Sequence, residues 1–332
     1  MRRSRWSVRA LLPVGALVLC ALLVAALEQY KLYVASLTLV YLILAIGLNL
    51  TLGYAGQISL GHGAFMAFGS YAVAILGQRG LPFELGLLVG VAIAFGWGLA
   101  VGFPALKVKH HYLAMVTVGF NILVFLVLRN WESLTGGSFG ISGIARPAWG
   151  PISFRSDRAY YFYILGWAAL VVTSAYWILT SRWGRAFRAI RENEMRAEVV
   201  GVSLRNYKLM AFAIGAAYAA VGGALFAPLV GYIDPGAYTV DRSVQFLMMV
   251  VLGGLGRFEG PFIGAVVVTV LPEVLRASEG LYLVIYALAV ILMMLFMPKG
   301  LVGVWDRAIA LGAAHRRTHG PVTAPPAASG GP

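Results

Sequence analysis

The chain has 332 residues, 60% hydrophobic and only 12% charged, with a formal net charge of +13. Soluble domains carry about 25% charged residues, so this composition excludes a water-soluble globule and defines an integral membrane protein. The single cysteine, Cys20, excludes an intramolecular disulfide and any multi-cysteine metal site, and no cofactor is expected.

Ten apolar spans are expected in chain order, roughly at 11–27, 32–52, 63–76, 83–103, 112–128, 160–180, 209–231, 244–255, 261–275 and 281–297. A crossing helix needs about 20 residues, so the third and eighth runs are short and are expected to continue into the glycine-rich segments beside them. The fold class is therefore all-α, with roughly ten transmembrane helices. Residues 1–10 form a basic N-terminus, 11–312 the membrane domain, and 313–332, rich in Pro, Ala and Gly, a disordered tail. The first span has a rival reading as a cleaved signal sequence, with Val24–Leu27 as the cleavage region.

Ten crossings with both termini in the cytoplasm place 18 of the 26 basic residues inside, as the positive-inside rule requires. The basic surplus is thus read as a topology signal, with membrane lipid as a partner and no role for nucleic acid. The same topology makes 181–208 a cytoplasmic segment and 129–159 a long external loop. A faint internal echo links "LGYAGQISLG" at Leu52–Gly61 with "LGGLGRFEG" at Leu252–Gly260.

Catalytic chemistry finds no foothold. There is no G-x-x-x-x-G-K-[ST] phosphate loop, no G-x-S-x-G nucleophile and no histidine–carboxylate spacing suited to a metal. Glu84, Asp241 and Glu273 all fall near expected span ends, so an ion-coupled carrier with a mid-membrane acid has no clear candidate.

The most informative polar features are two. Residues Leu48–Leu76 are apolar, yet glycines 53, 56, 61 and 63 are interleaved with Asn49, Gln57, Ser59 and His62. These glycines do not share one helical face, which disfavours simple helix packing and favours a broken helix near 53–63 beside a watery pathway. Thr117 and Asn121, four residues apart, present a second polar face toward that pathway. The second feature is "SRWGRAFRAIRENEMRAEVVGVSLRNYK" at Ser181–Lys208, where Trp183, Phe187 and Ile190 share a helical face and the charges take the other directions. A helix, a turn at Gly201 and a new start at Ser203 are expected. The segment suits either a lipid-surface linker or a docking surface.

These residues also carry a resemblance. "GLNLTLGYAGQISLGHGAFMAFGSYAVA" from Gly47, "YLAMVTVGFN" from Tyr112, "LTGG" with "GISGI" at 134–144, "GRAFRAIRENEMRAEVVGVSLRNYKLMAFAIGAAYAAVGGALFA" from Gly184, and "VVLGGLGRFEGPFIGA" with "MPKGLVG" resemble, in this order, the LIV-type permeases of ABC importers, which move branched-chain amino acids. Within that family the chain is most similar to the M-type subunit. The resemblance implies a type II importer bundle in the bacterial cytoplasmic membrane. It also implies a homologous H-type permease partner, two cytoplasmic ATP-binding subunits and an external solute-binding protein. A coupling element would carry Arg188, Arg191, Glu192, Glu194, Glu198 and Gly201; the path lining expected from polarity alone, and not from the resemblance, is Asn49, Gln57, Ser59, His62, Thr117 and Asn121. Phe139 and Ser142 depart from the family's loop pattern and leave urea, amides or other small solutes open as cargo. A stand-alone secondary carrier is the alternative from a different class.

Overall fold

The computed structural model describes residues 28–105, 110–149 and 152–275, with positions 285, 287, 288, 291 and 300–303 beyond them. The expected first span, nearly all of the tenth, the basic N-terminus and the C-terminal tail lie outside the described residues.

Helices dominate, and the apolar runs of the sequence form them. The order is α1 (Gln29–Leu48), a π-helical turn (Asn49–Tyr54), α2 (His62–Gln78), α3 (Phe83–Ala105), α4 (His110–Asn130) and the four-residue α5 (Glu132–Thr135). Three two-residue strands follow, β1 (Ile141–Ser142), β2 (Ala148–Trp149) and β3 (Ile152–Ser153), then α6 (Asp157–Thr180), α7 (Arg182–Glu192), α8 (Glu194–Val199) and α9 (Leu204–Val230). Strand β4 (Tyr232–Ile233), a 3₁₀ turn (Pro235–Tyr238), α10 (Val240–Gly254) and α11 (Gly260–Leu275) complete the described chain.

Five of these helices are long and apolar enough to cross a membrane: Gln29–Tyr54, Phe83–Phe103, Tyr112–Asn130, Asp157–Thr180 and Leu204–Val230. Where ten spans were expected, the described residues thus give five of full length and three shorter apolar helices, α2, α10 and α11. Their outer surfaces suit lipid. Met115, Leu123, Leu170 and Trp177 are all more than half exposed, a distribution that water would penalise.

The bundle is built around α9. It packs on α3, α2 and α1, and its middle, "AIGAAYAAVGGALFA", supplies small residues that let backbones approach. A Cβ on Gly47 would stand 2.7 Å from Gly215 O, and one on Gly98 would stand 2.9 Å from the Ala213 Cα. A Cβ on Gly69 would fall on the Ala220 carbonyl, and one on Gly223 on Met66 O. With little hydrophobic drive between helices inside lipid, such contacts are a main source of cohesion.

The segment 129–159 is a structured cap. Its strand β1 pairs antiparallel with β4, Ile141 opposite Ile233. Gly140 (φ 66°) is needed there, because a Cβ would strike Ile233 O. Tyr232 Oη donates to Phe139 O at 2.9 Å, and Arg146 pairs with Asp157 at 2.7 Å.

Gly69→Val is expected to cost about 1–3 kcal/mol, through overpacking against backbone that cannot yield. Gly77→Ala, where a side chain meets open space, is expected to stay within about 0.5 kcal/mol of the parent. Thermal unfolding of the detergent-purified protein distinguishes the two.

Candidate functional site

The helix that begins at Gln29 does not continue into the next one. Asn49–Tyr54 widens into a π-helical turn, Ala55 closes it, and residues 56–61 are irregular before α2 starts at His62. The break expected near 53–63 is therefore present. It lies inside the bundle: Leu60 N–H donates to Thr117 Oγ1 at 3.0 Å, and Thr117 and Asn121 are the eighth and twelfth residues of the 21-residue α4. This explains why α2 is only 17 residues long. It begins well within the bundle.

A second helix start meets it there. Gly63 N–H donates to Ser243 Oγ at 2.8 Å, so the first turns of α2 and α10 abut. Gly63 has to be small, since a Cβ would stand 3.0 Å from Thr239 O and 3.1 Å from both Tyr238 O and Ser243 Oγ. Asn121 Nδ2 reaches Tyr238 O at 3.4 Å, which ties α4 to the same place.

All six residues expected to line a path, Asn49, Gln57, Ser59, His62, Thr117 and Asn121, are buried, none more than 4% exposed. They divide into two groups. Thr117 and Ser59 brace the broken backbone, Ser59 Oγ accepting from Gly61 N–H at 3.4 Å. Asn49 is a staple. Its Nδ2 donates to Arg257 O at 2.8 Å and its Oδ1 accepts from Gly256 N–H at 2.9 Å. By contrast Gln57 Oε1, both ring nitrogens of His62 and Asn121 Oδ1 have no hydrogen-bond partner among the described residues. Buried polar atoms are normally satisfied, and each exception costs about 1–3 kcal/mol. Four such atoms lie on Gln57 and His62 at the helix break and on Asn121 of α4.

The segment 181–208 is two helices, where one helix ahead of the Gly201 turn was expected. Asn193 leaves the helical region (φ −163°, ψ 112°) and caps α8, its side chain accepting from Arg196 N–H at 3.0 Å. Gly201 (φ 82°) and Ser203 then supply the expected turn and the start of α9. The apolar face of α7 is seated on α9: Trp183 and Phe187 pack edge-on to Tyr207 with ring centroids 5.1 and 6.2 Å apart.

The charges of this element do not all face outward. Arg188 donates to Leu179 O at 3.4 Å, at the C-terminus of α6, and Glu194 pairs with Lys208 at 2.6 Å. Arg191 turns back toward the break, where its Nη1 donates to Gly53 O. Its stem lies against Gly56, and a Cβ on Gly256 would collide with its guanidinium. One side chain thus touches α7, the π turn and the turn before α11. Glu192, Glu198 and Gly201 are exposed. So are Met195, Val199 and Val200, each more than 70%. Sequence reasoning missed these three, because it assigns apolar side chains to the interior; their signal was the position of Met195 and Val199 four apart on a helix whose buried side is Ala197 alone.

Among the described residues no group of three or more His, Cys, Asp or Glu is placed to hold a metal ion.

The chain is built as a multi-pass membrane protein with a polar break at its centre, and sequence comparison supplies its class. Residues 30–309 match the family described as branched-chain amino acid transport system / permease component, and the chain belongs to that family. It is 35% identical over 293 residues to the high-affinity branched-chain amino acid transport system permease protein LivM of Escherichia coli (strain K12), covering 81% of this chain and 69% of that protein. It is 34% identical to LivM of Salmonella typhimurium (strain LT2) over the same extents. The LivH permease protein of the same Salmonella strain is 28% identical over 289 residues, 79% of this chain and 91% of that protein. No solved structure matches the chain.

Asn49→Ala is expected to destabilise the protein by about 1–3 kcal/mol, since it leaves Gly256 N–H and Arg257 O without their partner. Asn49→Asp keeps the acceptor but loses the donor and buries a charge, and is expected to cost at least as much. Thermal unfolding in detergent checks both; an Asn49→Ala protein as stable as the parent would remove the staple.

Proposed function

We propose that the chain is the M-type permease subunit of an ATP-driven importer in the bacterial cytoplasmic membrane, and that it passes branched-chain amino acids inward. Its partners are a homologous H-type permease, two cytoplasmic ATP-binding subunits and an external solute-binding protein. The relatives, named as branched-chain amino acid transport permeases, favour this cargo over urea or amides. The chain has no phosphate loop of its own, so the energy enters from outside it.

The observation that carries the reading is the break at residues 55–61, where Gln57, His62 and Asn121 keep buried polar atoms unpartnered. Gln57, Ser59, His62, Thr117 and Asn121 line the path, and Asn49 holds its inner wall. On this reading 181–208 lies in the cytoplasm with both chain termini, and the cap at 129–159 lies outside. Both positions agree with the distribution of basic residues.

Coupling then divides into two parts. Met195, Val199 and Val200, with Glu192, Glu198 and Gly201 around them, form the exposed knob that docks on an ATP-binding subunit. Arg191 and Arg188 carry motion inward, Arg191 to the π turn through Gly53 and Arg188 to the end of α6. An arginine suits this work because its fork offers several donors at once, where a lysine offers a point charge.

The test is ATP-driven leucine uptake by vesicles holding the complete complex with its binding protein. Arg191→Ala is expected to lower uptake about tenfold or more, as loss of a hydrogen bond from a charged group implies, with the ATP-binding subunits still bound. Met195→Glu with Val199→Glu is expected to release those subunits from the membrane. Vesicles holding this chain alone are expected to take up nothing against a gradient. Accumulation there, with an ion gradient and no ATP, would establish the secondary carrier instead.

A further inference from the structure

The path reading leaves one arrangement unused. Two helices start against one another, α2 with 17 residues and α10 with 15; the start of α2 is buried, and Ser243 in the first turn of α10 is buried against it. Neither N-cap residue, Gly61 or Thr239, caps its own helix with its side chain; at the start of α2, Gly63 N–H is taken by Ser243 Oγ and Ala64 N–H by Gly61 O, which leaves the His62 amide. Helix starts of this kind leave backbone N–H groups unpaired and carry partial positive charge. Within a membrane bundle they favour an anionic group.

The side chains at this point are also set for a ligand. His62 is the first residue of α2, 1% exposed, with neither ring nitrogen partnered among the described residues. Its ring is held edge-on against Phe65, centroids 6.3 Å apart. Asn121 is also 1% exposed. Its Nδ2 is engaged by Tyr238 O, which fixes the amide and leaves Oδ1 as a buried acceptor without a partner. The acid nearest in sequence, Asp241, does not fill the site. It is exposed and stands about 200° around α10 from Ser243, the residue that touches Gly63.

We propose that this junction reads the head group of a free α-amino acid as it crosses. The α-carboxylate is received at the start of α2, by the His62 backbone amide and imidazole. The α-ammonium is received by Asn121 Oδ1, the buried acceptor without a partner. The aliphatic side chain is not read here. The junction therefore selects zwitterionic amino acids as a class, while discrimination among them rests with the binding protein. This inference rests on the path reading above.

The experiment uses the complete permease–ATPase complex in lipid nanodiscs without the binding protein, so that any selectivity belongs to the membrane part. Binding of radiolabelled leucine is measured in competition with unlabelled leucine, leucinamide, which lacks the carboxylate, and 4-methylpentanoate, which lacks the ammonium. Leucine is expected to compete, and each of the other two to compete about tenfold or more weakly, since each loses a hydrogen-bonded charge. Asn121→Ala is expected to weaken leucine while leaving 4-methylpentanoate unchanged, a pattern that general misfolding does not produce. Equal competition by leucinamide, or no saturable leucine binding, would overturn the head-group site. The path reading is tested separately, in a Cys20→Ser background. If a bulky thiol reagent on Ser59→Cys leaves uptake intact, the path lies elsewhere. If it blocks uptake while leucinamide competes as well as leucine, the path stands and the head-group site falls.

Discussion

A backbone inside a bilayer has to find its hydrogen-bond partners within the protein, and everything at the centre of this molecule answers to that requirement. Helix α1 ends at Leu48 and α2 begins at His62, and the chain between them cannot satisfy itself by the ordinary α-helical ladder. The π turn carries the first part, with Ala55 N–H donating to Leu50 O and Gln57 N–H to Thr51 O. Side chains from distant helices carry the rest: Thr117 at Leu60, Ser243 at Gly63, Arg191 at Gly53. Each is a polar side chain, and each has the backbone at the break or its edge as its partner. A helix interrupted in lipid survives only because three other segments of the chain were drawn in to complete it.

That dependence forces close packing around it. Side chains as short as Ser and Thr reach a neighbouring backbone only when helices touch, and glycines and alanines along α9, α2 and α3 permit that contact. The two features support each other. The stripe of small residues holds the bundle tight enough for Ser70 Oγ to reach Gly223 O at 2.7 Å and Thr51 Oγ1 to reach Ala211 O at 3.4 Å. The break in turn gives the tight bundle a place where polar atoms are concentrated and not fully spent.

Much of this was legible in the sequence, for identifiable reasons. Apolar runs near 20 residues announced the long helices, and glycines at 53, 56, 61 and 63 that fit no single helical face announced the break. The faint echo between Leu52–Gly61 and Leu252–Gly260 marked two segments that meet in the fold, where a Cβ on Gly53 would stand 2.7 Å from Gly256 N. What stayed hidden was direction. Nothing local shows that Asn49 reaches a turn 207 and 208 positions away. Periodicity places Arg191 on the charged side of α7, yet its long stem lets the guanidinium reach back to Gly53. The split at Asn193 was masked because "RENEMRAEV" is rich in good helix formers, and only the cap geometry separates the two helices.

The two ends of the bundle are held in different ways, and the difference bears on how such a machine moves. At the cap, a strand pair, a glycine that admits no side chain and the Arg146–Asp157 pair join residues 129–159 to the exit of α9 and the start of α6. At the opposite end, α7 rests on an aromatic cluster and is linked to the break by Phe187, buried in one cluster with Leu50, Tyr54 and Ala55, and by the Arg191 hydrogen bond. Because Asn49 fixes Gly256 and Arg257 while Arg191 and Phe187 hold the π turn to α7, the π turn and the turn before α11 form a single body joined to α7. On the proposed function, force applied to α7 cannot displace one of these segments without the other, short of breaking a charged hydrogen bond worth about 1.5–3 kcal/mol. Force at this end therefore acts on the walls of the broken helix first, and the small-residue seams of α9 give those walls a rigid surface to move against.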